Sequence, residues 1–518
     1  MNQNTIKWIS ISSMAGLILG SWHCTEAAAK EKRPNILFAI ADDQSYPYAS
    51  AYGTKGIHTP AFDEVAKKGV LFTNAFVAAP QCSPSRAAIL TGKNIWQLEE
   101  AGTHSSYFPK HFQVFPDLLE QNGYSIGYTG KPWGPGNWKD AGWSRNPTGP
   151  EYNSIQFNSV PASGISKIDY FENFKAFYSQ KQADNPFFFW YGGQEPHRDY
   201  EEGSGLKSGK KLQDAVVPSF LPNFPVVQSD ILDHILEIEW FDAQLGKMIR
   251  FLEEKGELDN TIVVVTADNG MPFPSAKANL YEYGTHVPLA ICRPGTIPGN
   301  RVAEELVGLI DLAPTFLDLA GVTEIPLMSG QSLSGILLNL SFPGRQYILT
   351  GRERHSHARP ENLGYPSRAI RTRDFLYILN IKPDRWPAGD PASGLSESND
   401  EKSLWPGYHD IDNSPTKLML IENRDQFPDQ FRTGYEKRPA EELYDVSNDP
   451  GCTRNLADNP QFLNKKNKLR KQLKKELITQ GDPRMTGKED LFESYPRFGS
   501  MRNFPGFKER GTYNPNYQ

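Results

Sequence analysis

The chain has 518 residues, 38% of them hydrophobic, and a formal net charge of -6. That is enough apolar material for a large core and for more than one domain. The small negative charge excludes a general affinity for nucleic acid or for anionic membranes, so recognition of an anion has to come from local clusters of Arg, Lys and His.

The N-terminus reads as a secretory signal. Lys7 supplies the positive end, residues 8–20 are mostly apolar, and Ala27-Ala28-Ala29 offers small residues for cleavage. Residues 1–29 are therefore expected to be a signal peptide, with the mature protein secreted or periplasmic. The apolar run is too short for a stable membrane span. Cys24 follows Gly20-Ser21-Trp22-His23, a poor match to a lipoprotein acylation box, which argues against a lipid anchor there. Cleavage after Ala29 leaves Cys82, Cys292 and Cys452, too sparse and odd a set for a disulfide scaffold.

Residues 35–41 form a continuous apolar run after Pro34, the pattern of a strand buried on both faces of a parallel sheet. The run ends in Asp42-Asp43. Two adjacent carboxylates there repel each other in a low-dielectric site unless a cation lies between them, and ligands in open α/β sheets bind at that edge. A short amphipathic helix over 60–69 leads to an extended segment, 70–77, and then to a loop that passes into a second helix from Ser85. Residues 115–121 read as a helix, and 124–129 as a strand that delivers Gly130-Lys131. A third buried strand, 187–191, runs into Gly192-Gly193-Gln194-Glu195-Pro196-His197-Arg198, and 231–253 has helical spacing. The clearest core strand, 261–266, ends in Ala267-Asp268-Asn269-Gly270.

From about residue 333 the pattern changes to shorter strands, 369–381 and 418–422 among them, followed by Glu442-Leu443-Tyr444-Asp445 and a Lys-rich helix over 462–479. The expected organisation is a catalytic domain over 30–345, a smaller C-terminal subdomain over 346–480, and an extended, aromatic-rich tail over 481–518.

The chemistry centres on Gln81-Cys82-Ser83-Pro84-Ser85-Arg86, with Thr91-Gly92 closing the helix. Cys82 is placed at a helix N-terminus and Arg86 one turn along, so a fixed positive fork and free backbone N–H groups face one point. Taken alone, the motif fits a small buried thiol at a helix cap better. Its company argues otherwise, because Asp42, Asp43, Asp268 and Asn269 all fall just after core strands. Oxygen donors in this number suit Ca²⁺, and Mg²⁺ less well, rather than Zn²⁺.

The C-x-P-S-R motif with its following T-G resembles the signature of the sulfatase family, and the likeness extends from Asn35 to about Ala457. It implies an alkaline phosphatase-like fold: a three-layer α/β/α domain with a mixed, mostly parallel sheet, plus a smaller C-terminal α+β domain with an antiparallel sheet. It implies that a maturation enzyme oxidises Cys82 to formylglycine, whose hydrate attacks sulfur. It also implies a divalent cation on Asp42, Asp43, Asp268, Asn269 and residue 82. Arg86, Lys131 and Lys277 would stabilise the sulfuryl charge, and His197, with help from Lys277, would protonate the leaving atom. Many members carry a His two residues after the Lys matched by Lys131. Here that place holds Trp133, and His104 is the candidate replacement base.

Loop segments such as 268–281, 196–198, 217–223, 355–357 and 365–368 resemble the branch of the family that removes the N-sulfate of glucosamine from heparan sulfate. The implied substrate is a sulfated glycosaminoglycan-type glycan, contacted by His104, Arg198, Arg352, Arg354, His355, His357 and Arg368. O-sulfate hydrolysis on another sugar, phosphonate or phosphomonoester hydrolysis, and sulfated-glycan binding with an unmodified Cys82 are the alternatives.

Overall fold

The computed structural model describes residues 32–182, 184–391 and 407–498. The expected signal peptide, Cys24 and the end of the tail, residues 499–518, lie outside the described residues.

Two sheets organise the chain. The larger has the order β3-β4-β1-β5-β6-β2-β7, with β8 paired to β2. In chain order these are β1 (Asn35–Ala41), β2 (Val70–Phe76), β3 (Ser125–Gly130), β4 (Phe187–Gly192), β5 (Thr261–Ala267), β6 (His286–Cys292), β7 (Arg301–Ala303) and β8 (Val307–Gly308). The β3-β4-β1-β5 half is parallel, whereas β6 runs antiparallel to both β5 and β2. Every residue of β1 and β5 is buried, which is why both read as unbroken apolar runs. Helices Pro60–Lys68, Tyr170–Gln180 and Pro225–Glu254 pack together, as do Cys82–Thr91, Phe115–Gln121 and Leu312–Leu319, so the sheet lies between two helical layers.

The pairing register sets the site. Ala41 of β1 lies opposite Ala267 of β5, so Asp42 and Asp268 leave the sheet side by side. Gly130 of β3 lies opposite Gly192 of β4, and Lys131 N–H donates to the Gly192 carbonyl at 2.7 Å. Gly130 has φ 75°, and a Cβ there would meet the Gly192 oxygen at 1.9 Å, so only glycine lets the two strand ends come this close.

The second sheet is antiparallel, in the order β12-β11-β10-β9, from β9 (Ile348–Arg352), β10 (Ser367–Arg371), β11 (Phe375–Asn380) and β12 (Glu441–Asp445). The expected boundary at 345 falls just before β9. Ile370, Tyr377, Leu443 and Leu473 belong to the same hydrophobic cluster as the core of the first sheet.

Three local readings are corrected. Residues 418–422 are helical, within Pro415–Glu422, because Pro415 stands in the first turn and the Ser414 side chain caps the Lys417 N–H. A short apolar run does not by itself distinguish a strand from a buried helix. Residues 369–381 are two strands joined at 372–374, where Thr372 Oγ1 and the Phe375 N–H close a turn. The described part of the tail is not extended throughout, since Pro483–Met485 and Leu491–Ser494 form 3-10 turns.

Candidate active site

The signature segment is the helix Cys82–Thr91, entered from extended Gln81 and closed by Gly92 in the left-handed conformation. Cys82 Sγ is buried 3.3 Å from Asp42 Oδ1. Burial pushes its thiol up, and Asp42 adds to the effect. Arg86 is fully buried and already committed: Nε donates to Asp268 Oδ2 at 2.7 Å, and Nη1 to the carbonyls of Lys131 at 2.6 Å and Pro132 at 3.2 Å. It thereby ties the ends of β3 and β5 to the signature helix.

Around Cys82 the strand ends deliver alternating charge. Lys131 Nζ donates to Asp42 Oδ2. Lys277 Nζ lies 2.6 Å from Asp43 Oδ2 and 3.1 Å from Asp412 Oδ2. Asn269 Nδ2 donates to Asp43 Oδ1 at 2.6 Å, and the Asp43 N–H donates to Asp268 Oδ1 at 3.2 Å. Asp43 itself sits at φ 77°, a conformation costly outside glycine. His234, from the Pro225–Glu254 helix, holds that turn by donating from Nε2 to the Asp43 carbonyl at 3.0 Å. Burial lowers His234 to about 4, so the ring is neutral and supplies a hydrogen bond without adding charge.

These residues fit a hard divalent cation. One donor atom from each of Asp42, Asp43, Asp268 and Cys82 can be chosen so that all lie within 4.8 Å of one another. Asn269, whose Nδ2 is bonded to Asp43, has a buried Oδ1 with no hydrogen-bond partner among the described residues. A buried carbonyl oxygen of this kind is costly unless something accepts its lone pairs. Burial first, and then the charge of Asp42, push Asp268 above the usual carboxylate range. Asp42, Asp43, Asp268 and Asp412 face Arg86, Lys131 and Lys277, so the cluster is one charge negative. A divalent cation reverses that sign, and a singly charged sulfuryl group then neutralises it.

His197 stands at the mouth, with its side chain 36% exposed and Nε2 3.8 Å from Asp43 Oδ2. Its Nδ1 is hydrogen-bonded to the Arg198 carbonyl, so Nδ1 carries a proton and Nε2 faces the site. Arg198 is not at the mouth. Its guanidinium makes paired bonds of 2.7 and 2.8 Å to Asp230 and lies between the rings of Tyr200 and Phe273.

The other expected glycan contacts are also taken up inside the protein. Arg352 pairs with Asp410 at 2.9 Å, and Arg368 with Glu353 and Asp482 at 2.7 Å each. Arg354 donates to the carbonyls of Tyr495 and Pro496, and His357 is fully buried. Burial lowers Arg352 to about 9 despite Asp410. The structure therefore separates these residues from the group at Cys82, with the exception of His104 and His355, whose rings touch at 4.6 Å beside it. His104 Nδ1 bonds the His355 carbonyl at 3.2 Å, leaving Nε2 as an acceptor. Burial first, then His355 and Arg497, hold His104 well below its usual value, so it is a neutral base. Trp133 is buried under the signature helix and donates from Nε1 to the Ser83 carbonyl at 3.1 Å.

Sequence reasoning missed Asp412, Asp410, His234 and Arg497. Asp410 and Asp412 lie in an irregular loop, His234 is hidden within an apolar helix face, and Arg497 is in the tail. The Phe498 N–H donates to the Ser105 carbonyl at 2.7 Å, and Ser105 N–H to Ser83 Oγ at 3.1 Å, so the tail is fastened to the residue after Cys82.

A doubly covered, mostly parallel sheet whose strand ends carry a carboxylate cluster, with Cys82 on a helix and Arg86, Lys131 and Lys277 around it, has the alkaline phosphatase-like fold. The Sulfatase family model matches residues 34–322, and the chain belongs to that family of sulfate-releasing hydrolases. It is 29% identical to human N-sulphoglucosamine sulphohydrolase, covering 89% of this chain and 93% of the relative. A solved chain in complex with its substrate D-glucosamine-2-N,6-O-disulfate has a TM-score of 0.58 at 21% identity, covering 87% of this chain and 99% of that one. The phosphonate monoester hydrolase of Agrobacterium radiobacter has the same fold, with a TM-score of 0.62 at 16% identity over 87% and 97% of the two chains. No described helix is long and apolar enough to cross a membrane.

Proposed function

We propose that this sulfatase is exported and removes the N-sulfate of glucosamine in a heparin- or heparan-type glycan, with Cys82 converted to formylglycine by a maturation enzyme. The observation that carries the choice of substrate is the likeness to the human N-sulphoglucosamine sulphohydrolase along nearly the whole of both chains. The reading for Cys82 rests on its place in the C-x-P-S-R helix, beside Asp42 and Arg86.

Asp42, Asp43, Asp268 and Asn269 would hold Ca²⁺, which when bound polarises the sulfuryl oxygens and favours an anionic oxygen nucleophile. Formylglycine at position 82 supplies that oxygen. The chain's own residues do the rest. Arg86 fixes the strand ends, so that Lys131 and Lys277 meet developing negative charge on sulfuryl oxygens without reorganising. His197 is oriented by its Nδ1 bond to deliver a proton from Nε2 to the departing atom. His104 Nε2 takes the proton released when residue 82 is reset, the role left open by Trp133. The buried walls exclude bulk water from residue 82, while His197, Lys131 and Asp412 form the entrance.

The test is hydrolysis by purified, matured protein, followed as sulfate release from N-sulfoglucosamine and glucosamine 6-sulfate and as phenol release from a phenyl phosphonate monoester. N-sulfoglucosamine is expected to have the highest kcat/KM. Turnover of O-sulfated sugars alone would refute the N-sulfate assignment, and preference for the phosphonate would place the activity with the other hydrolases of this fold.

A further inference from the structure

Asp412 has no evident part in holding the metal or the nucleophile. It is not among the clustered donor atoms, and its side chain is 28% exposed where Asp42, Asp43 and Asp268 are essentially buried. Its position is nevertheless fixed. Lys417 Nζ donates to the Ile411 carbonyl at 3.0 Å and to Asn413 Oδ1 at 3.2 Å, bracketing it on both sides. Two residues earlier, Asp410 is held by Arg352, Arg359 and Ser356. Burial works against the charge of Asp412, but Lys277, His197 and His355 outweigh it and keep the group well below the usual carboxylate range.

Arg86, Lys131 and Lys277 balance the three metal-facing carboxylates, so with a divalent cation bound Asp412 lowers the charge of the site from two positive to one. Lys277 links Asp412 to Asp43, which lies 3.8 Å from Nε2 of the proton donor His197, and both Asp412 and His197 are partly exposed. The charge of Asp412 weakens binding of an anionic substrate unless the substrate offers it a donor or a positive group.

We infer that Asp412 is the residue that selects an amine leaving group, accepting the sulfamate N–H before cleavage and the ammonium afterwards. This inference rests on the N-sulfate reading above. In the reaction the S–N bond breaks and its electron pair stays on nitrogen, which takes one proton from His197 Nε2 and a second from solvent. The new S–O bond is made by an oxygen that derives from water. Overall, a sulfamate anion and water give an ammonium and a sulfate dianion. An O-sulfate ester has no N–H at the bridging atom and leaves as a neutral alcohol, so its bridging oxygen meets the Asp412 carboxylate lone pair to lone pair. Sites built to bond a substrate N–H or O–H reject analogues that lack it more strongly than apolar pockets reject a missing methylene.

The experiment compares Asp412→Asn and Asp412→Ala with the wild type on N-sulfoglucosamine and on 4-nitrophenyl sulfate. Conversion of Cys82 is verified by peptide mass in each protein. Asn keeps the shape, loses the charge and gains a donor for an ester oxygen. The ratio of kcat/KM on the N-sulfate to that on the O-sulfate is expected to fall by about tenfold or more in both variants. A smaller change in the ratio, including equal loss on both substrates, overturns the inference and leaves Asp412 only as a partner of Lys277. Absence of N-sulfate hydrolysis by the wild type would instead refute the substrate reading on which the inference stands.

Discussion

Glu237→Gln should stabilise the protein at neutral pH and confer much less of that gain at pH 5. Glu237 lies on the Pro225–Glu254 helix, 1% exposed, and neither carboxylate oxygen has a hydrogen-bond partner among the described residues. Burial, and then Glu195, raises it from 4.5 to about 9. The folded state therefore holds a proton that the unfolded state releases above about pH 4.5. The stability this group contributes is complete below that pH and is lost as pH rises toward 9. At pH 7 the loss is about 3 kcal/mol, and about 2.5 kcal/mol of it accrues between pH 5 and 7. Gln does not ionise in either state. Any constant cost of burying its amide cancels when the wild-type-to-variant difference is compared at the two pH values. Equilibrium urea unfolding at pH 5 and pH 7 measures that difference. A difference unchanged between the two would refute the reasoning and mean that Glu237 is ionised or solvated in the native protein.

Three further outcomes follow from the site. His104→Ala should lower turnover by about 10²–10⁴-fold, as expected for loss of a positioned base, with the fold left intact by circular dichroism. Because His104 is held neutral far below its usual value, the acid limb of the wild-type kcat profile should not be set by this residue. Trp133→His should not restore a missing base. It removes a fully buried indole and its bond to Ser83, and should cost about 3–5 kcal/mol in unfolding with no rise in kcat. Calcium should raise the Tm of chelator-treated protein more than magnesium does, by an increment worth about 2.7 kcal/mol at a hundred times Kd. Asn269→Ala, which removes an Oδ1 with no hydrogen-bond partner among the described residues, should reduce that increment. Equal calcium stabilisation in the variant would remove Asn269 from the ligand set.

How far the sequence could be read depended on how local each cause was. β1 and β5 are covered on both faces, so their apolar runs announced themselves, and the polar residues at their ends marked the reaction edge. The register Ala41 opposite Ala267 then made neighbours of Asp42 and Asp268, which stand far apart in the chain. By contrast, Lys277 meets Asp412, and His234 supports Asp43, only after the long helix and the C-terminal segments have folded over the sheet. No periodicity records such encounters. The basic stretch 352–359 was legible as charge but not as destination. Arg352 and Arg359 turn inward onto Asp410, while Arg368 turns onto Glu353 and Asp482, because the carboxylates that neutralise them arrive from distant loops. Residues 418–422 misled for the opposite reason: four consecutive apolar residues suit a buried helix turn as well as a strand, and the Ser414-Pro415 start signal decides between them.

The most direct measurement is the mass of the tryptic peptide 69–86 from protein made in its own host. The account predicts a peptide about 18 Da lighter than its thiol form, the loss expected when the Cys82 side chain becomes an aldehyde, in protein that releases sulfate from N-sulfoglucosamine. A peptide at the full thiol mass in protein that still releases sulfate would contradict the account at its centre.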